Sequence, residues 1–421
     1  MFHRPARENE WISWLFVILW TGIIFLTIPL ARTLQEFIRD LWGREAFTYI
    51  VLTAITVASL GTISHLLRSK TASLINYLWL LLVAMVFAVY SYQLSRAPEE
   101  ALHFIEYAFL GILVYRAFTH RIRDYSIYFS VALVGAIIGT IDETIQWLTP
   151  RRYWGYGDIW LNFVAVSLTQ IAIAGGMAPT LISARPKTAS LRLSFRLGIV
   201  SISLLILTLL NTPARVTWYA DRVPALEFLK HNPSTMSEYG HLYHIPDIGS
   251  FRSRLSSDEL HDQDKTRPEQ AAEVLDQYHD RRSYSKFLQV YTPDVDPFVH
   301  EARVHLFRRD RYLSLANTSA KDESLSRYYL DVAYREHQIM ENYFPNTLRL
   351  SRFTLDQQTL QRMEIARATG DDYDSPVSKH LITLMSERQL ISLLLLTILS
   401  LIGLERIIAR REKSFLNPDA A

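Results

Sequence analysis

The chain of 421 residues contains no cysteine. Disulfides, thiolate nucleophiles and cysteine metal ligands are thereby excluded, and cysteine usage says nothing about redox compartment. Charge of one sign is also missing: 44 Lys and Arg against 42 Asp and Glu leave a net +2, too little to argue for a nucleic-acid partner. No Gly-x-Ser-x-Gly, His-Glu-x-x-His or glycine-rich phosphate loop occurs. What is present is apolar sequence in long runs. The mean hydropathy of +0.06 averages two unlike parts. Residues 11–211 are mostly apolar, 212–387 are polar and rich in Asp, Arg, His and Tyr, and 388–409 are apolar again before a basic tail.

A helix crosses a bilayer with about 20 mostly apolar residues. Eight segments qualify, near 11–30, 46–67, 74–94, 101–118, 125–148, 159–182, 195–211 and 389–409. The first reads as a span rather than a signal peptide, because its apolar stretch is long and lacks a small-x-small cleavage pattern. The expected fold class is an α-helical polytopic membrane bundle of about eight transmembrane helices, with an α+β extracytoplasmic domain inserted before the last helix. The expected domains are a membrane part over 1–211, a soluble part over 212–387, and a last helix with its tail over 388–421.

Lys and Arg in short loops set orientation. One side would carry Arg4, Arg7, Arg68, Lys70, Arg121, Arg123, Arg185, Lys187, Arg192, Arg410, Arg411 and Lys413. The other would carry Arg32, Arg39, Arg44, Arg96, Arg151 and Arg152. The excess predicts both termini in the cytoplasm, the chain in the inner membrane, and 212–387 outside.

Polar groups interrupt the apolar runs between residues 103 and 162: His103, Glu106 and Tyr107, then Asp142, Glu143 and Gln146, then Arg151 and Arg152, then Asp158 and Asn162. A charge at the bilayer centre costs roughly 3 kcal/mol on insertion scales, so such residues point to a site. The topology brings all of them to the outer ends of three helices. His103 and Glu106 are i,i+3, Asp142 and Gln146 are i,i+4, Glu143 and Gln146 are i,i+3, and Asp158 and Asn162 are i,i+4, so each set shares a face. Asp158 can equally cap the helix it opens, after a turn suited to Gly155 and Gly157. Tyr107, Trp147, Trp154 and Trp160 also fit an interfacial aromatic belt, Arg151 and Arg152 also fit a solvated loop, and the whole cluster also fits helix-to-helix polar glue.

At these residues the chain resembles the VanZ-like family of membrane proteins. That family has His-x-x-x-Tyr, Asp-Glu-x-x-Gln, an Arg and Asp-x-x-x-Asn in this order. Here they are His103/Tyr107, Asp142-Glu143-x-x-Gln146, Arg151 or Arg152, and Asp158-x-x-x-Asn162. The match is strong over 100–170 and looser over 45–182. The family often has Lys where this chain has Glu100, and Gly where it has Ala165. The resemblance implies a bacterial cell-envelope protein; the family's namesake is linked to resistance to a glycopeptide antibiotic, teicoplanin. It supplies no biochemical mechanism and does not reach 212–387.

In the polar region, Pro213, Pro224, Pro233 and Pro246 suggest a loop or wrapping segment. Helices are expected over 268–282, 323–344 (stopped by Pro345) and 355–368, strands over Ser283–Tyr291 and Ala302–Leu306, and a turn at Arg308-Arg309-Asp310 leading into Tyr312–Ala316. His241, His244, His261, His279, His300, His305 and His337 are irregularly spaced, and on a strand His300 and His305 would face opposite ways. They read as solvated or hydrogen-bonded rather than metal-binding. Arg303, Arg308, Arg309 and Arg311 fit a solvated hairpin, or contact with phosphate.

The functional expectation is binding of a membrane lipid, a lipid-linked envelope precursor or a lipophilic antibiotic by His103, Glu106, Tyr107, Asp142, Glu143, Gln146, Arg151, Arg152, Asp158 and Asn162. No cofactor or metal is expected, and another envelope protein is a candidate partner for 212–387. The alternative is an intramembrane enzyme with His103 and Glu106 or Asp142 as acid and base, although no Ser or Cys nucleophile stands out. A proton-coupled transporter fits less well, since the charges gather at one face and no inverted repeat is visible.

Overall fold

The structure, a computed structural model, describes residues 9–30, 36–37, 40–43, 45–68, 73–93, 98–150, 152, 154–231, 236–370 and 372–416. Arg4, Arg7, Arg32, Arg39, Arg44, Lys70, Arg96 and Arg151 lie outside the described residues. The chain divides into two compact units, Met1–Thr208 with Ser392–Ala421, and Leu209–Ile391.

The first, apolar unit is helical: Glu10–Thr27 (α1), Glu45–Arg68 (α2), Leu74–Gln93 (α3), Pro98–Phe118 (α4), Ser126–Trp147 (α5), Tyr156–Ile171 (α6) and Thr188–Leu209 (α7). A π-helical turn, Ala172–Met177, prolongs α6. Among the described residues, six segments are long and apolar enough to cross a membrane: Glu10–Thr27, Leu74–Tyr92, Ser126–Trp147, Tyr156–Met177, Thr188–Leu209 and Glu387–Arg410. The other two expected spans are helical as α2 and α4. The chain thus has the helices of a membrane protein.

The centre of this unit is the packing of α4, α5 and α6. Phe104, Tyr107, Leu110 and Val114 form a buried stripe on α4 at helical spacing. They meet Ile127 and Val131 of α5 and Leu161, Ala165 and Val166 of α6. Glycine inside a helix costs about 1 kcal/mol relative to alanine, yet α5 carries two at its contact with α6. A Cβ on Gly135 would lie 2.6 Å from Val166 Cγ2, and one on Gly139 would lie 3.2 Å from Asn162 Cβ. The close approach of the two backbones offsets the cost through dispersion contacts. On the far side, the Trp20 indole N–H of α1 donates to the Glu106 carbonyl of α4 at 3.0 Å.

The second, polar unit runs through Pro213–Ala220 (α8), a 3-10 turn at Pro224–His231, His241–Ile245 (β1), Gly249–Ser253 (β2), Ser257–Thr266 (α9), Pro268–Gln277 (α10), Arg281–Val290 (α11), Pro297–Thr318 (α12), Glu323–Tyr343 (α13), Pro345–Leu350 (α14) and Gln357–Ala366 (α15). Glu387–Leu416 (α16) follows. The sheet is one antiparallel hairpin in which Tyr243 pairs with Phe251. Phe287, Phe298, Ala302, Leu306, Met340 and Phe344 belong to the core between the hairpin and the helices.

Two expectations fail here. Ser283–Tyr291 and Ala302–Leu306 are helices, not strands, and the turn expected at Arg308–Asp310 lies inside α12. Tyr284, Phe287 and Tyr291 are spaced i, i+3, i+7, and the rings of Tyr284 and Tyr291 each stack on Phe287. Aromatic content suggested β-structure, but the period is helical. Asp280 caps α11 by accepting from the backbone N–H groups of Arg282 and Ser283, both at 2.7 Å. Asp296 caps α12 from Val299 N at 3.1 Å, with Pro297 as its first residue. His300 and His305 therefore sit on a helix. The strands that do form lie at 241–253, where the prolines had suggested only wrapping chain, and α8 also begins at one of those prolines, Pro213.

Candidate functional site

Three helix ends and one loop build the polar cluster. On α4, His103 Nδ1 lies 3.2 Å from Glu106 Oε2, with the two side chains 20 % and 28 % exposed. Tyr107, on the buried stripe, reaches across to α5, where its hydroxyl donates to Asp142 Oδ2 at 3.1 Å. Glu143, the next residue, accepts at both oxygens: from Gln146 Nε2 at 2.7 Å and from the Gly155 N–H at 3.2 Å. Gln146 turns its own oxygen to Arg152, whose Nη2 donates to it. Gln146 is thus a two-way bridge between a carboxylate and a guanidinium, which its amide can be because it carries a donor and an acceptor on separate atoms.

The α6 end completes the arrangement. Asp158 was expected to cap α6, but Gly155 occupies the cap position and no side chain caps it. Asp158 lies in the first turn, folded against Gly155, where a Cβ would come within 2.6 Å of Asp158 Oδ2. Its carboxylate interacts electrostatically with His103, Arg152 and Glu143. Asn162, one turn on, packs against Gly139 of α5; the ring of Tyr107 lies 3.7 Å from the same position. Tyr107, Asp142, Glu143, Gln146 and Asn162 are each no more than 4 % exposed.

The network is incompletely bonded on both the donor and the acceptor side: His103 Nδ1, 3.2 Å from Glu106 Oε2, makes no hydrogen bond among the described residues. Asp142 Oδ1 and Asn162 Oδ1 are buried and have no hydrogen-bond partner among the described residues. An unpaired buried acceptor costs about 1–3 kcal/mol. These two oxygens are acceptors, so what would satisfy them is a donor. Among the described residues, no group of three His, Asp or Glu is arranged to hold a metal ion.

Nine of the ten expected residues are described; Arg151 is the exception. Direct contacts join them as His103–Glu106, Tyr107–Asp142 and Glu143–Gln146–Arg152. Sequence reasoning missed Gly139, which admits Asn162, and the role of the Gly155 N–H as a carboxylate donor. It also missed Gln170, two turns beyond Asn162, whose Nε2 donates to the Gly111 carbonyl at 3.2 Å while its Oε1 is unpartnered among the described residues. The available signal was the spacing of Asn162, Val166 and Gln170 at i, i+4, i+8, with an amide at each end of an otherwise apolar face.

No family model, no curated protein and no solved structure matches this chain.

Proposed function

We propose that the chain is a VanZ-like membrane protein of the bacterial cell envelope. In this reading the cluster on α4–α6 is a pocket at the outer membrane face. It binds an envelope lipid, a lipid-linked precursor or a lipophilic glycopeptide-type antibiotic. The observation that carries the reading is the pair of acceptors, Asp142 Oδ1 and Asn162 Oδ1, buried without a partner among the described residues in a network of acidic side chains among apolar helices. Pure structural glue has no reason to leave acceptors unpaired, because each unpaired group is a net loss. The motif order from His103 to Asn162 supports the family. The Lys and Arg distribution supports the orientation, with both termini cytoplasmic and 212–387 facing cell-wall material or another envelope protein.

Lipid mass spectrometry on the gently purified chain tests the pocket. A lipid species that co-purifies with the wild type and is lost from Asp142→Asn and Glu143→Gln at unchanged expression is the expected result. Identical lipid profiles in all three would sink it.

A second reading rests on the His103–Glu106 pair at 3.2 Å. As acid and base on a lipid-linked substrate these two side chains have the right chemistry and partial exposure. Conversion of such a precursor by reconstituted wild type, abolished in His103→Gln, would establish it over simple binding.

A further inference from the structure

We infer that a crevice at the other end of the apolar unit holds an anionic phospholipid, with one acyl chain inside and the phosphate on Arg121. The inference does not depend on the binding reading of the α4–α6 cluster.

The crevice is a cavity of about 320 Å³. Ligand pockets start near that size, at about 300 Å³. Trp14, Phe118 and Leu193 give it apolar walls, and Glu10, Trp11 and Arg121 also line it. These residues come from the start of α1, the end of α4 with the loop after it, and the start of α7. The Trp14 and Phe118 rings meet edge to face, with centroids 5.3 Å apart. Leu193 is held nearby because α7 is tied to the loop before α5. The Ser190 hydroxyl donates to Asp124 Oδ2 at 2.8 Å, and the Ser183 N–H donates to the Arg123 carbonyl at 2.9 Å.

Depth selects an amphiphile. Glu10 opens α1, which is long and apolar enough to cross a membrane, so the crevice lies where that helix meets the interface. About 22 Å of α4 separates Phe118 from His103, so this site is not the cluster described above. An apolar cavity at the interface is open to lipid chains. Moving a chain from the bilayer into it yields little, because lipid tails are as apolar as its walls. Selection among lipids therefore falls to the headgroup.

Charge selects the headgroup. Arg121 is 77 % exposed, and its Nε lies 2.6 Å from Glu10 Oε1. That ion pair holds the guanidinium at the crevice. A guanidinium has five N–H groups, so one carboxylate leaves donors for a phosphate. The surroundings are basic. Arg123, Arg185 and Lys187 are exposed on the segments joined at Arg123 and Ser183. The acid among them, Asp124, is buried and bonded to Ser126 and Ser190. Along α7, one carboxylate, Glu405, serves two cations, Arg192 and Arg196. A headgroup of net negative charge is attracted to such a surface, and a zwitterionic one gains less.

The test uses the full chain in nanodiscs of phosphatidylglycerol and phosphatidylcholine in equal parts with matched chains. Lipid retained after stepwise delipidation is read by native mass spectrometry. Phosphatidylglycerol should be retained about tenfold over phosphatidylcholine, the worth of one charge-assisted hydrogen bond. Arg121→Gln should bring the two lipids to parity, while Lys187→Gln, away from the crevice, should leave most of the preference. Leu193→Trp fills the crevice and should remove the retained lipid. Equal retention of both lipids by the wild type overturns the inference. So does a preference that survives Arg121→Gln, or one that Lys187→Gln lowers as far, which would assign it to diffuse attraction. Retention untouched by Leu193→Trp shows that the chain lies elsewhere and is equally fatal. Asp142→Asn should leave the preference alone; its loss there would move the anionic lipid to the cluster and sink this site. If Leu193→Trp does not insert, the wild type in neutral detergent decides. Short-chain phosphatidylglycerol should raise its melting temperature and glycerophosphate should not; equal shifts from both refute a site for the chain.

Discussion

Two buried carboxylates, one in each unit, were built to different standards. Glu336 of α13, in the polar unit, is fully buried and has four donors. His305 lies 2.6 Å from Oε2; Arg308 at 2.7 Å, the Tyr373 hydroxyl at 2.6 Å and Ser375 at 3.0 Å serve Oε1. Burial pushes this carboxyl up, but His305, Tyr373 and Arg308 outweigh it and hold the group below the ordinary carboxylate range. Asp142 of α5 is as buried, but one oxygen has Tyr107 and the other has nothing among the described residues. Glu336 knits α12, α13 and the 373–375 segment together. Asp142 pairs two helices and leaves half its capacity unused. A carboxylate bonded at both oxygens holds its neighbours together; one bonded at a single oxygen is where the binding proposed above would act.

The largest expected effect comes from emptying the full site. Glu336→Ala strands His305, Arg308, Tyr373 and Ser375 and should destabilise the polar unit by about 3–5 kcal/mol. Thermal melting of the detergent-solubilised chain, with limited proteolysis of 209–391 as readout, measures it. A loss comparable to that of an exposed substitution would show that the network contributes little.

Acid should act on the same unit next. Burial, aided by the nearby Arg309, lowers His337 to about 4 from 6.5, so the folded state keeps it neutral while the unfolded chain takes up a proton. Stability is therefore fully present above about pH 6.5 and declines as pH falls toward about 4, by up to ~3 kcal/mol. Burial lowers His300 as well, which adds to the decline in the same direction. Glu336, also lowered, withdraws its share at still lower pH, as it protonates. Melts across pH 4–7 on the wild type and on His337→Phe check this: the variant should show the shallower slope.

In the apolar unit, Gly135→Ala would drive a methyl to 2.6 Å from Val166 Cγ2 and should cost about 1–3 kcal/mol through forced separation of α5 and α6. Melting in detergent measures it. The smallest effect, and the one that sharpens the contrast most, is Asp142→Asn. It keeps the volume and removes an incompletely paired charge, so folding should change by less than about 1 kcal/mol while lipid retention falls. If Asp142→Asn melts the protein as severely as Glu336→Ala, the two carboxylates play the same structural role and the contrast collapses.

How much was readable depended on whether the signal was local. The helix ends at His103–Tyr107, Asp142–Gln146 and Asp158–Asn162 follow from i,i+3 and i,i+4 spacing inside apolar runs, and α4, α5 and α6 carry them. Tyr284, Phe287 and Tyr291 were misread because their residue types favour strands while their spacing is helical, and stacking of Tyr284 on Phe307 and of Phe287 on His300 of α12 settled the competition. The hairpin at 241–253 was hidden: its turn needs Asp247 and Gly249 at positive φ, and Gly249 sits where a Cβ would fall 2.2 Å from the Tyr373 carbonyl oxygen. That constraint comes from a residue more than a hundred positions away.

By itself, the sequence determined the apolar segments, their helical character around the cluster and the set of polar residues they carry. Those properties depend on neighbours within two turns of a helix. Only the tertiary structure decided that Gly155, not Asp158, occupies the cap position of α6, that Gln146 bridges Glu143 to Arg152, and that Asp142 and Asn162 each have an oxygen without a partner among the described residues. Whether a buried polar atom finds a partner depends on groups from other helices arriving within about 3 Å, and no local pattern encodes that.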